Sequence, residues 1–163
     1  MDSGTRHYWR VTLSNIARNT HRHDGELVVF LIGMTINKWW RPDLWLPSFL
    51  AMRPMLAELT RNPEWGMLGY RLTLERGGPT VIQYWSSLDK LYAYASRKDA
   101  VHRPAWAKFN RSAGRAKGAA GVWHETFLVD KAESVYVGTP DMGLARFTEV
   151  VPVTRNSARE RIS

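Results

Sequence analysis

Hydrophobic and polar positions along the chain predict four strands. Residues 26–36 start as a continuous run of aliphatic, β-branched and aromatic residues, which is typical of a strand buried on both faces. A similar run covers Val122–Val129. Between these two, apolar and polar residues alternate over 67–75, and a further strand-like run covers Thr80–Trp85. The turn sequence Gly77–Pro79 separates the middle pair, so we predict that they form a hairpin.

Helical periodicity follows the first and the third strand. Five apolar residues recur at intervals of three and four, which is the stripe of an amphipathic helix: Trp45, Phe49, Met52, Leu56 and Leu59. Pro54 falls inside this stripe and is expected to bend or break the helix. A second helix is predicted to begin near Ser86 and to carry apolar positions as far as Ala95. Residues 102–113 predict another helix, or a continuation of the second.

The predicted order of elements is β-α-β-β-α-β, which is the ferredoxin-like arrangement of the α+β class. Two helices on one face leave the other face of a four-stranded sheet uncovered. That face is also apolar, because the first and last strands are apolar on both sides. We therefore predict a homodimer in which two sheets pack face to face. Residues 26–140 are predicted to form the domain, residues 1–25 a polar N-terminal extension and residues 141–163 a C-terminal tail.

Composition narrows the function classes. The 163 residues include no cysteine, which excludes disulfides, thiolate nucleophiles and cysteine-ligated metal sites in this chain. No apolar stretch reaches the roughly 18 residues of a membrane helix, and the N-terminus lacks a hydrophobic signal core. We therefore expect a cytoplasmic protein with no membrane partner. The net charge of +8 comes largely from basic flanks without a nucleic-acid-binding motif, so no nucleic-acid partner is expected.

Several segments carry a resemblance to a known family: VVFLIGMTINKWW, WLPSFLAMRPMLAEL, GMLGYRL, IQYWSSLDKLYAYA, HRPAWAKFNR and GVWHETFLV. In this order and spacing the chain resembles the fumagillin-pathway-type monooxygenases. These are relatives of the antibiotic-biosynthesis monooxygenases within the dimeric α+β barrel superfamily. The resemblance implies a dimeric α+β barrel with a pocket between the helices and the sheet of each protomer. It also implies oxidation of electron-rich substrates without metal or flavin, haem binding, or isomerisation and cyclisation.

His124 is the first candidate for chemistry. In a strand, His124 and Glu125 point to opposite faces, so they cannot form a direct dyad. One can face the pocket while the other meets the dimer interface or an edge. An imidazole on a pocket wall can accept a proton from a phenol or enol near neutral pH. We predict a catalytic role for His124 and a substrate-binding role for Glu125, with a buried structural histidine as the alternative.

A second histidine begins a row of residues that share one helix face, His102, Trp106 and Asn110. His102 is predicted to be catalytic, and the other two are predicted to bind substrate. His102 is also the candidate ligand to haem iron, and a surface cap is the alternative for it. Together with Asn37 and Trp85, His102 resembles in residue type the Asn–Trp–His set of haem-degrading members of the superfamily.

Polar and indole side chains at the ends of two strands complete the candidate site. Asn37 is predicted to orient a carbonyl or peroxide oxygen, as preorganised amides do for developing anions. Trp39 and Trp40 follow it and are predicted to bind substrate. The alternative for this group is that Asn37 forms a turn and that the two tryptophans only fill hydrophobic space. Gln83 and Trp85 share one face of the third strand and are also predicted to bind substrate.

We predict a cofactor-independent oxygenase or related tailoring enzyme that acts on an aromatic or polyketide-like small molecule in secondary metabolism. The sequence contains no phosphate-binding loop, dinucleotide fingerprint, GxSxG or HExxH motif. No metal and no cofactor is therefore predicted, although the resemblance makes haem possible. The alternatives are a haem protein of the same fold and a cofactor-free isomerase or cyclase.

Overall fold

The structure is a computed structural model that describes residues 18–97 and 118–154. The chain divides into two compact units. One unit spans Gly25–Asp130, and the other combines the described residues that precede and follow it. Each unit has its own sheet, and the candidate site lies in the first unit.

The described residues form seven strands and two α-helices. In chain order they are β1 (Arg18–Arg22), β2 (Leu27–Ile36), α1 (Pro42–Arg61), β3 (Met67–Glu75), β4 (Gly78–Trp85), α2 (Leu88–Ser96), β5 (Ala120–Val129), β6 (Tyr136–Val137) and β7 (Glu149–Pro152). Single turns of 3-10 helix occur at Pro63–Trp65 and Gly143–Arg146.

The unit Gly25–Asp130 contains a four-stranded antiparallel sheet in the order β3-β4-β2-β5. Its central strand β2 carries the continuous apolar run and pairs with a neighbour on each side. Glu75 pairs with Gly78 at the end of the β3–β4 hairpin, so only two residues form the turn. Helix α1 follows β2 and helix α2 follows β4, which gives the order βαββαβ. The predicted ferredoxin-like α+β fold is confirmed.

Helix α1 continues through both of its internal prolines, Pro47 and Pro54. Each proline removes one backbone hydrogen bond, which leaves the carbonyls of Asp43 and Leu50 without their usual intrahelical partners. All four residues are exposed, so water can satisfy these carbonyls. The break considered at Pro54 is therefore absent, because the cost of the missing hydrogen bonds falls on the solvent side of the helix.

Packing of the helices against the sheet builds the core of this unit. The buried cluster consists of Val28, Leu59, Met67, Trp85, Leu91 and Tyr94. Trp85 on β4 is fully buried, and its ring centroid lies 5.9 Å from that of Tyr94 on α2. Tyr94 in turn lies 5.8 Å from the ring of Trp65. These tilted aromatic contacts hold α2 against the end of β4.

The face of the sheet opposite the helices is shaped by Trp123 and Gly33, which pair in register on β5 and β2. A Cβ atom at Gly33 would overlap the indole ring of Trp123. Glycine is therefore required at this strand position for the ring to lie flat on the sheet. Phe127 lies on the same face by strand alternation, and half of its surface is exposed.

The second unit is built around β1, which pairs with β7 on one side and β6 on the other. β1 lies in the predicted N-terminal extension and β7 in the predicted C-terminal tail, whereas β6 lies within residues 26–140, which were predicted to form the domain. A strand was not expected at β1, because its Arg-Asn-Thr-His-Arg sequence has no apolar alternation and its partners lie far away in sequence. Inside this unit His21 is buried, and its Nδ1 atom lies 2.6 Å from the Oγ atom of Ser134.

Candidate functional site

A cavity of about 300 Å³ lies between the sheet and the helices of the Gly25–Asp130 unit. Strands β2, β4 and β5 form its floor, and helices α1 and α2 form its walls. Pockets for drug-sized molecules have volumes of about 300–1,000 Å³. The cavity is therefore large enough for a compact organic molecule.

Alternation along the strands decides which side chains form the floor of the cavity. Phe30 on β2 pairs with Gln83 on β4 and with Thr126 on β5, so these three lie in one row. In the next row on the same face, Ile32 pairs with His124. All five line the cavity, because residues two apart on a strand share a face with their direct cross-strand partners.

The walls are largely apolar. Two helices contribute these lining residues: Ser48, Ala51, Met52, Met55, Leu56 and Leu59 from α1, and Leu91, Tyr92, Tyr94 and Ala95 from α2. In the described part of the chain, no Lys, Arg, Asp or Glu side chain lines the cavity. These described residues therefore offer no fixed charge that would compensate the desolvation of an ion. The paired methionines add an adaptable surface to one wall.

Gln83 is the most deeply buried polar side chain on the floor, with 5% of its surface exposed. Its Oε1 atom accepts a hydrogen bond of 2.9 Å from the indole Nε1 of Trp85. Trp85 also lines the cavity, while its ring belongs to the buried core. The expectation that these two residues share one strand face agrees with the structure.

His124 lies at the rim of the cavity, because it lines the cavity and is also exposed to solvent. Its ring centroid is 5.7 Å from that of Phe30, with the two planes tilted by 40°. Glu125 is not among the lining residues and belongs to the opposite strand face. An imidazole in this position can exchange protons with water and still reach a ligand.

Sequence reasoning missed Tyr92 and Tyr94 as cavity residues. The Tyr94 hydroxyl donates a hydrogen bond of 3.3 Å to Oε2 of Glu58. Burial, and then the nearby Glu58 carboxylate, raise the pKa of Tyr94 well above its ordinary value, so the phenol stays protonated. The apolar stripe of α2 was visible in the sequence, and its two tyrosines could have been tested as wall residues on that basis.

The polar and indole residues that follow β2 do not line the cavity. The Nδ2 atom of Asn37 donates a hydrogen bond of 2.9 Å to the carbonyl of Gly118, and its backbone N–H donates one of 2.9 Å to Ala119. Trp39 and Trp40 are 75% and 59% exposed, and their rings meet edge to face at 6.1 Å. In this arrangement Asn37 ties the end of β2 to the start of β5.

The predicted row of His102, Trp106 and Asn110 lies outside the described residues, so its assigned roles stay predictions. Within residues 18–97 and 118–154, no group of three or more His, Asp or Glu is placed to hold a metal ion. Over the same ranges, no helix has the length and apolar content needed to cross a membrane.

A family described as Monooxygenase af470-like matches residues 27–144. This match covers well over half of the chain, including all of the described residues that line the cavity. The chain belongs to this family. No curated protein matches the sequence significantly.

Comparison with solved structures finds similar proteins. The aldoxime dehydratase OxdRE, crystallised with butyraldoxime, is similar with a TM-score of 0.63 and 18% identity. The comparison covers 82% of this chain and 40% of the dehydratase, so this chain spans about two fifths of that protein. SnoaB, a cofactor-independent oxygenase from Streptomyces nogalater, has a TM-score of 0.42 at 15% identity, covering 66% of this chain and 97% of SnoaB. At such identities the likeness to the dehydratase concerns the fold alone.

Proposed function

We propose that this protein is a cofactor-independent oxygenase, or a related tailoring enzyme, that acts on an aromatic or polyketide-like molecule in secondary metabolism. Membership of a monooxygenase family supports the reaction class. The observation that carries the proposal is a cavity shared by a rim imidazole, His124, and a buried amide, Gln83, whose lining among the described residues carries no fixed charge. The segments from VVFLIGMTINKWW to GVWHETFLV support assignment of this protein to the fumagillin-pathway-type monooxygenases.

In the proposed mechanism, His124 accepts the proton of a phenol or enol bound in the cavity. Gln83 donates a hydrogen bond to the resulting oxygen anion, and the apolar walls exclude water. The anion then passes electrons to molecular oxygen, which is the co-reactant. When a phenol becomes a quinone, one oxygen atom enters the ring and the other leaves as water. The substrate supplies all four electrons of this reaction, so the electron count closes without a further reductant.

The layout of the floor suits a compact substrate. Gln83 and His124 lie on β4 and β5 with β2 between them, two residues apart in register. Ordinary strand spacings place their Cα atoms roughly 12 Å apart. Both side chains line the cavity, so we expect a molecule of one or two fused rings to contact both.

Substitution of His124 tests this mechanism. With naphthols and anthrones as probes, we expect oxygen consumption to fall about 100-fold or more in His124→Ala, because general base catalysis is lost. The matched control is His23→Ala, which removes a histidine that does not line the cavity. Isotope-labelled oxygen should place one atom in the product. Full activity of His124→Ala would rule out the mechanism, and product formed without oxygen would favour the isomerase or cyclase.

We also propose that the protein is a homodimer that packs the sheet face opposite the cavity. Phe127 supports this proposal, since its apolar ring lies on that face and is 50% exposed. Sedimentation equilibrium should give twice the chain mass for the unmodified protein and the chain mass for Phe127→Arg. A monomer in the unmodified protein would end the proposal.

Haem binding is the second candidate, and the position of His124 favours it. His124 lines the cavity and has no hydrogen bond within residues 18–97 and 118–154, so its imidazole would be available to hold the haem iron. Haem also carries two carboxylates, and no lining residue of the described chain is cationic. The described residues therefore do not complete a haem site. Titration with haem decides this point: a Soret shift that disappears in His124→Ala would favour the haem protein.

A further inference from the structure

We infer that Gln83 is a specificity-determining hydrogen-bond donor, held in one orientation by Trp85, and that it selects neutral ligands with an oxygen acceptor such as a ketone or quinone carbonyl. The inference deepens the proposed function and rests on it only in assuming that the cavity binds a small molecule. Its test measures binding and needs no turnover.

The orientation of the Gln83 amide follows from the chemistry of its partner. A glutamine side chain offers a carbonyl oxygen as acceptor and an NH₂ group as donor. The indole Nε1–H of Trp85 can only donate, so the Gln83 atom at 2.9 Å from it must be the oxygen. This contact settles which end of the amide is which. The NH₂ group is consequently the end that remains for other partners.

The NH₂ group of Gln83 faces the cavity. No hydrogen bond joins its Nε2 atom to any atom of the described residues. Among those residues, Ser86 Oγ is the one side-chain nitrogen or oxygen that is fully enclosed by protein and unpartnered. The Nε2 atom therefore borders open space. Because Gln83 is 5% exposed and lines the cavity, that space is the cavity itself.

A donor in this position discriminates between ligands. A hydrocarbon that fills the cavity would remove water from the NH₂ group and leave it unpaired, whereas a ketone of the same shape would replace the lost hydrogen bond. The difference is expected to be about tenfold in affinity. The bond from Trp85 adds to it, because an amide that already accepts a hydrogen bond is a stronger and better-ordered donor.

The charge of the surroundings narrows the ligand class further. Within the described chain the cavity has no cationic lining residue that could pair with a carboxylate or phosphate. A ligand that enters as an anion would lose its hydration without a compensating charge from these residues. The class that fits is therefore a neutral, compact ketone, quinone or phenol.

The sharpest test uses the fact that Gln83 is the only glutamine in the chain. Selective ¹⁵N labelling of glutamine side chains therefore gives a single NH₂ signal pair in the intact protein. Saturation with 1-tetralone should move one of the two protons downfield. Tetralin, which has the same ring skeleton without the oxygen, should not. Equal shifts with both ligands, or no shift with the bound ketone, would overturn the inference.

A second test compares affinities across variants. The ratio of the tetralin and 1-tetralone dissociation constants should fall about tenfold in Gln83→Met, which keeps the length of the side chain and removes both donors. Hydration differences between the ligands cancel, since the same pair is used throughout. A smaller fall in this ratio is expected in Trp85→Phe, because the Gln83 amide is then free to rotate.

The matched control is Trp45→Phe. It also removes an indole hydrogen bond, in this case 3.4 Å to the carbonyl of Trp39, at a residue that does not line the cavity. The ratio should be unchanged in this variant. An unchanged ratio in folded Gln83→Met would contradict the inference, and if that variant fails to fold, the NMR test on the unmodified protein decides.

The two proposals fail separately. A ketone preference without oxygen consumption on any probe would leave the role of Gln83 intact and remove the oxygenase. Oxygen consumption without a ketone preference would leave the oxygenase intact and remove the role of Gln83.

Discussion

Two tryptophan-bearing strand ends of this protein look alike in sequence and differ in structure. The end of β4 carries Gln83 and Trp85, and the segment after β2 carries Asn37, Trp39 and Trp40. The first pair lies on the floor of the cavity, joined by a hydrogen bond and buried. In the second group both indoles are exposed, and the amide is bonded to the backbone of Gly118.

The difference lies in where each group sits relative to the hydrogen-bonded strand. Gln83 and Trp85 are inside β4, where the two-residue period fixes which face a side chain occupies. Asn37 comes after the last residue of β2, where no such period applies. An amide beside tryptophans therefore indicates a pocket only when the strand itself sets its direction.

Replacing one tryptophan of each group by alanine should give the largest difference in stability between the two groups. We expect Trp85→Ala to lower the free energy of unfolding by about 3–5 kcal/mol, because a fully buried ring leaves a cavity in the core. Trp40→Ala should change it by less than about 0.5 kcal/mol, since the ring is exposed. Urea denaturation measures both. Equal losses in the two variants would mean that the exposed indoles are covered in solution.

A glycine inside β2 tests strand geometry on the opposite face. Gly33→Ala should cost about 1–3 kcal/mol, because the new methyl group would displace Trp123. Gly77→Ala, in the hairpin turn, is the matched control. Its Cβ would meet Thr35 at 3.4 Å, an ordinary contact, so a much smaller change in the urea midpoint is expected. Comparable midpoints for the two variants would show that the indole moves aside freely.

The hydrogen bond of Asn37 should have a smaller effect. Asn37→Ala removes the 2.9 Å bond to Gly118 from an exposed side chain, so a loss of about 0.5–1 kcal/mol in unfolding free energy is expected. Hydrogen exchange should quicken first at the amides of Asn37 and Lys38, which both donate to Ala119. A loss above about 2 kcal/mol would indicate a more central role for this side chain.

The weakest effect concerns Tyr94 at high pH. Its pKa is raised in the folded state, so the unfolded chain releases this proton first, at the ordinary tyrosine value of about 10. The stabilising contribution is therefore complete below about pH 10 and declines as the pH rises above it. We expect the unfolding free energy of Tyr94→Phe to fall less steeply over that range. If the unfolding free energies of Tyr94→Phe and of the unmodified protein fall in parallel with pH, the raised pKa of Tyr94 is contradicted.

Much of the sheet could be predicted because strand signals are local. The apolar run of β2, the alternation in β3 and the presence of a β3–β4 hairpin each follow from neighbours in sequence. The turn itself was predicted at Gly77–Pro79 and lies at Arg76–Gly77, because Gly78 and Pro79 pair with β3 as the first residues of β4. The strand β1 could not be predicted, since its polar residues become a strand only by pairing with β7. Helix α1 was located correctly, while its continuity through Pro54 depended on which side faces water.

The candidate site was predictable to the extent that it lies within strands. The common face of Gln83 and Trp85 follows from alternation along β4, as does the separation of His124 from Glu125 along β5. That His124 and not Glu125 faces the cavity depended on the register between β5 and β2. The hydrogen bond between Gln83 and Trp85 was not predictable, because rotamers of buried side chains depend on the surrounding core. The same holds for Tyr94 and Glu58, which lie on different helices.

The amino-acid sequence alone determined the βαββαβ order, the amphipathic stripe of α1 and which residues of one strand share a face, because these depend on repeats of two and 3.6 residues along one chain. Only the tertiary structure decided that an open volume remains beneath α1 and α2 and that one buried amide turns its NH₂ group toward it. Cavities and orphan donors result from packing between distant segments, and no local pattern encodes how well distant surfaces fill space.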